Sequence, residues 1–72
     1  MKFTVEITSA AHLPSLIDAF RRNGCVAVRA AATRCRVIHT SAHDEQEARL
    51  EVAFFLRAWQ LRHPHVDATI CC

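Results

Sequence analysis

Five histidines and four cysteines in a 72-residue chain are the side chains with the most chemistry to offer. Imidazole and thiolate ligate zinc and related metals, and a thiol beside an imidazole can act as a nucleophile. Their spacing narrows the choice. The chain has no C-x-x-C, no histidine pair beside a cysteine pair and no H-E-x-x-H, so no zinc signature is present. A Cys–His nucleophile needs a third group to orient it, and Cys71 near His39 or His43 is the one conceivable combination. Glu6 and Asp67 fall on neighbouring strands, but the arginines around them favour ion pairing over a catalytic carboxylate pair. Gly24 is the single glycine, which leaves no glycine-rich phosphate loop. The balance lies against an enzyme, and no cofactor or metal is implied.

The elements that must position these residues follow from periodicity. Phe3, Val5 and Ile7 alternate with Lys2, Thr4, Glu6 and Thr8, the pattern of a half-buried strand. After a short connection at Ser9, Ala10, Ala11 and His12, the residues Leu13, Leu16, Ile17 and Phe20 share one helical face. Pro14 suits the first turn of that helix, and Asn23-Gly24 is a stop signal. A second strand covers 25–29, a turn 30–32 and a third strand 33–39. Ser41 with Asp44 three residues on resembles a capping box. A helix of about twenty residues follows to 62 or 63, ended by Pro64, with acidic residues early and basic residues late as the helix dipole favours. The last strand covers 65–70.

This order predicts an α+β, ferredoxin-like βαββαβ fold in one domain spanning residues 1–72. Its four-stranded antiparallel sheet has the order 4-1-3-2, with two helices on one face. His12, His63 and His65 then gather at one end of the sheet, and His39, His43, Cys71 and Cys72 at the other. Cys25 begins the far edge strand and cannot reach Cys71. Cys25 and Cys35 fall on opposite faces, so a disulfide between them is not expected. Heavy-metal carriers of this topology place C-x-x-C after the first strand, where this chain has Ala10-Ala11-His12-Leu13.

Two surfaces are left uncovered. At about 100° per residue, Ala48, Val52, Phe55, Leu56 and Trp59 form the core stripe of the second helix. Leu50, Phe54 and Leu61 fall nearly opposite, with Ala58 at the border, and such a second stripe marks an interface. With Phe3, Val5, Ile7, Val26, Val28, Cys35, Val37, Val66, Ala68 and Ile70 turned inward, the open sheet face carries Thr4, Glu6, Thr8, Cys25, Ala27, Arg29, Arg34, Arg36, Ile38, Asp67 and Thr69. It has no aromatic on which a base could stack, which argues against nucleic acid. The formal net charge of +2 argues the same way. No run of residues is long and apolar enough to span a membrane. Met1-Lys2 leads directly into the first strand, so a cytoplasmic location with free thiols is expected.

The segment from Thr8 through Leu13, Pro14 and Phe20 to Asn23-Gly24-Cys25-Val26 resembles the opening of an ACT-type regulatory domain. That family has a strand, an acidic-x-Pro-Gly-Leu-Leu turn, a helix, a glycine and a Val/Ile-rich strand. Here His12 stands at the usual aspartate and Ser15 at the usual glycine. The resemblance implies a non-catalytic regulatory module that acts as a homo-oligomer, with an amino acid or small carboxylate bound at His12, Leu13, Pro14 and Ser15. That turn also offers backbone N–H groups near a helix N-terminus. A second reading is a protein–protein assembly module whose interface is Leu50, Phe54, Ala58 and Leu61. A third is a thiol or metal-binding protein.

Overall fold

The alternation at the start of the chain produces strand β1 (Lys2–Ile7), whose Phe3, Val5 and Ile7 are buried while Thr4 and Glu6 are only partly covered. The computed structural model describes residues 1–71. A 3₁₀ turn, Ala10–His12, leads into α1 (Leu13–Arg22), followed by β2 (Val26–Ala31), β3 (Arg34–Ile38), α2 (Glu45–Arg62) and β4 (Ala68–Cys71). The protein is therefore α+β, with a four-stranded antiparallel sheet in the order β2-β3-β1-β4. This is the expected order read from the other edge. Both helices bury their apolar stripes in a single core with the inward residues of the sheet.

Helix α1 forms where expected because its four apolar residues, Leu13, Leu16, Ile17 and Phe20, fall on one side and are all buried. Gly24 takes φ 84°, the left-handed geometry that only glycine adopts without strain. The chain then doubles back, and the Cys25 N–H donates to the Phe20 carbonyl at 3.0 Å.

That tight return decides the faces of β2 and corrects the sequence reading. Cys25 and Ala27 are buried, whereas Val26 and Val28 are 49% and 44% exposed. Ala27 lies opposite the fully buried Val37, and Val26 opposite Ile38. With the large Phe20 ring buried and α1 packed over β2, small side chains fit beneath the helix and the valines turn to the open face. A strand has period two, so a one-residue error exchanges every side chain. Arg29 pairs with Cys35 and so stands on the helix side of the sheet, not the open side, although it is exposed.

The hairpin also differs. The strand continues to Ala31, which pairs with Arg34, and the register shifts between Arg29 and Ala31. The turn is therefore Ala32-Thr33, and no non-glycine residue takes positive φ among the described residues. A two-residue turn without positive φ twists against its strands, and the irregularity at Ala30 supplies the local twist that the turn lacks.

Asp44, not Ser41, caps α2: its Oδ1 accepts the Glu47 N–H at 2.7 Å, and the helix begins at Glu45. The buried stripe is Ala48, Val52, Leu56 and Trp59, with Phe55 partly covered. β4 starts three residues later than expected. Val66 is buried, but its N–H is spent on the His63 carbonyl in the turn around Pro64, and pairing begins where Ala68 meets Ile7.

Candidate functional site

A row of exposed apolar side chains lies along α2. Leu50, Phe54 and Leu61 are 64%, 62% and 74% exposed, and Ala58 is exposed beside them. The Phe54 ring leans on Phe55 with centroids 6.2 Å apart. Phe55 and Trp59 in turn line a groove of about 220 Å³ between α1 and α2, completed by Ala19, Asn23, Ala58 and Arg62. The two ends of α2 differ in charge. Asp44, Glu45 and Glu47 stand at its start, and Arg57 and Arg62 near its end.

A polar and aromatic cluster closes the end of the molecule where α1 begins and α2 finishes. The buried Trp59 donates its indole N–H to Ser15 Oγ at 3.2 Å. His63 stacks on Trp59, with centroids 4.1 Å apart and planes within 16°, and its Nδ1 lies 2.9 Å from the Trp59 carbonyl. His12 meets His63 at 5.5 Å between centroids, with planes at 74°. Its Nδ1 lies 2.8 Å from Ser9 Oγ. The topology thus brings His12 and His63 together as the sequence predicts, whereas His65 is exposed to solvent.

The effector turn expected at His12, Leu13, Pro14 and Ser15 is built differently from a ready anion cradle. The His12 N–H donates to the Ser9 carbonyl at 3.2 Å, and the Leu13 N–H to the Ala10 carbonyl. Pro14 has no N–H, and Leu13 is fully buried. The 3₁₀ turn preceding α1 has consumed donors that a bare helix N-terminus would present.

At the opposite end His39 is buried, not solvated. Its Nδ1 accepts the Ser41 N–H at 3.3 Å and its Nε2 lies 2.5 Å from Glu51 Oε1. Since Nδ1 accepts, Nε2 carries the proton and donates it to the carboxylate. His39 also stacks on Phe55 at 6.4 Å. With both ring nitrogens engaged, His39 has none left to activate a thiol. Burial, then the Glu51 charge, pushes the Cys25 thiol up, and burial pushes Cys35 up to about 11. Both are therefore protonated, poorly nucleophilic thiols at neutral pH. Cys71 is partly exposed, His43 is exposed, and the expected grouping with Cys72 lies outside the described residues.

On the open sheet face, Glu6 accepts from the Thr33 hydroxyl at 2.5 Å and from Arg34 Nε at 2.7 Å. These two bonds, the Thr33 one foremost, hold its carboxyl below the usual range. The expected ion pairing of the face arginines is thus realised at Arg34. The same face carries Val26 and Val28, which the sequence reading placed in the core. The residue buried between them is the small Ala27, on the face that α1 covers.

No family model, curated protein or solved structure matches this chain. What it can do must be read from the surfaces just described. Among the described residues, no three or more His, Cys, Asp or Glu side chains gather to hold a metal ion. No described helix is long and apolar enough to cross a membrane.

Proposed function

We propose that this protein is a non-catalytic, ferredoxin-like assembly module that pairs with a second copy of itself through the outer face of α2. The observation that carries this reading is the row Leu50, Phe54 and Leu61, exposed at 64%, 62% and 74% while the opposite stripe of the same helix is buried. Isolated exposed apolar residues are ordinary, but three large ones aligned along one helix are not.

The helix is complementary to itself. Phe54 stands beside the midpoint of Glu45–Arg62. A two-fold axis there sets α2 antiparallel to its copy, Phe54 against Phe54 and the large Leu50 over the small Ala58. The first turn of one protomer then lies against the last turn of the other and brings Glu47 near Arg62, which a parallel pairing would not achieve. A reducing cytoplasm suits this reading, since Cys25, Cys35 and Cys71 are free thiols.

The ACT-type reading shares the paired, non-catalytic architecture and adds an amino acid or small carboxylate at His12, Leu13, Pro14 and Ser15. The committed His12 and Leu13 N–H groups favour assembly over effector binding as the primary role. Sedimentation velocity of the wild type and of Phe54→Glu tests the proposal. The wild type should sediment as a dimer, and F54E as a monomer with an unchanged far-UV circular dichroism spectrum. F54E that remains dimeric sinks it.

A further inference from the structure

We propose that His12 and His63 together form a two-imidazole site for a divalent first-row transition-metal ion, of the nickel, copper or zinc kind. The argument begins with the nitrogen each ring keeps back. His63 Nδ1 lies 2.9 Å from the Trp59 carbonyl. A carbonyl only accepts, so Nδ1 bears the proton and Nε2 of the neutral ring is an unshared lone pair. His12 Nδ1 lies 2.8 Å from Ser9 Oγ. A hydroxyl accepts as readily as it donates, so this contact is compatible with the Nδ1–H tautomer, the one in which His12 Nε2 offers its lone pair. No hydrogen bond from a described residue occupies either Nε2. Imidazoles that bind metals are held in this way, with the second nitrogen donating to a fixed oxygen.

The spacing fits a shared ion. With a metal–nitrogen bond of about 2.1 Å, an ion sits about 3.2 Å from each ring centre, and a tetrahedral angle puts the two centres about 5.2 Å apart. The observed separation is 5.5 Å. His63 is also held in place: it stacks on Trp59 at 4.1 Å, and Trp59 is itself anchored to Ser15. That rigidity lowers the cost of ordering the ligand. His12 is exposed, so an ion can approach from solvent. No third protein ligand gathers among the described residues, and water completes the shell. The affinity is accordingly that of a two-point chelate, weaker than a closed structural zinc site.

Isothermal titration of Ni²⁺ into the reduced 72-residue chain tests this, because imidazole suits nickel and binding is high in the divalent series. The wild type should take up one ion per chain. His12→Ala, an exposed change that leaves the Trp59 stack in place, should weaken binding at least about tenfold, and His63→Ala likewise. His65→Ala and the Cys71→Ser/Cys72→Ser pair should bind as the wild type does. Absence of wild-type binding, H12A retaining wild-type affinity, or loss of binding in the double serine variant would each overturn the proposal.

Discussion

Raising the pH from 9.0 towards 11 should destabilise the fold through Cys35. The side chain is fully buried, and burial moves its thiol from an ordinary 9.0 to about 11. The folded protein therefore holds a proton that the unfolded chain releases. The stabilisation is fully present below pH 9.0 and is lost as pH rises through about 11. At about 1.36 kcal/mol per tenfold change in acidity, the loss approaches roughly 2–3 kcal/mol. That is a large fraction of the thin margin of so small a domain. The chain is well suited to the measurement, since it has no tyrosine. Cys25 acts in the same direction, because burial and the Glu51 charge raise it too. The assay is urea unfolding followed by circular dichroism from pH 8 to 11 in reductant, on the wild type and Cys35→Ala. Removing the sulfur costs stability at every pH, but C35A should show a fall shallower by roughly 2 kcal/mol. An alkaline fall of equal depth in both proteins would refute the linkage.

Two further perturbations test local features. Asp44→Ala removes the acceptor of the Glu47 N–H and should cost about 1 kcal/mol in urea unfolding, while Ser41→Ala should cost less because Ser41 does not cap the helix. Glu6 has its carboxyl lowered from 4.5 by Thr33 and Arg34, so its contribution is present above that value and is lost as pH falls through the lowered one. An acid titration of Glu6→Gln should accordingly show a flatter loss of stability than the wild type.

Helical features were the most legible in the sequence, because a 3.6-residue period assigns each side chain to a face with redundancy over several turns. Leu50, Phe54 and Leu61 are exposed as their spacing predicts, and Val52, Leu56 and Trp59 are buried. Strands carry less redundancy. In β2 two valines flank one alanine, so apolarity favours the valines for the core, while the face under α1 takes Cys25 and Ala27. The late start of β4 has a similar origin: Val66 reads as strand by type, but its N–H closes the turn at His63.

The histidines divide along the same line. Topology alone brings His12 and His63 to one end of the sheet. That His63 stacks on Trp59 depends on a helix C-terminus, where the chain leaves α-geometry at His63 with φ −132°, and no periodicity reports that. The His39–Glu51 bond joins residues twelve apart, which a strand and a helix start must align, so it has no local sequence signal.

The proposed symmetric pair is tested most directly by the protein's mass in solution. The protomer is 8.1 kDa. Light scattering on the wild-type protein at micromolar concentration should return about twice that mass, as expected for a closed two-fold pair. A Val28→Glu variant should give the same value, because Val28 lies on the open sheet face away from α2. A wild-type mass of 8.1 kDa across the accessible concentration range would contradict the account.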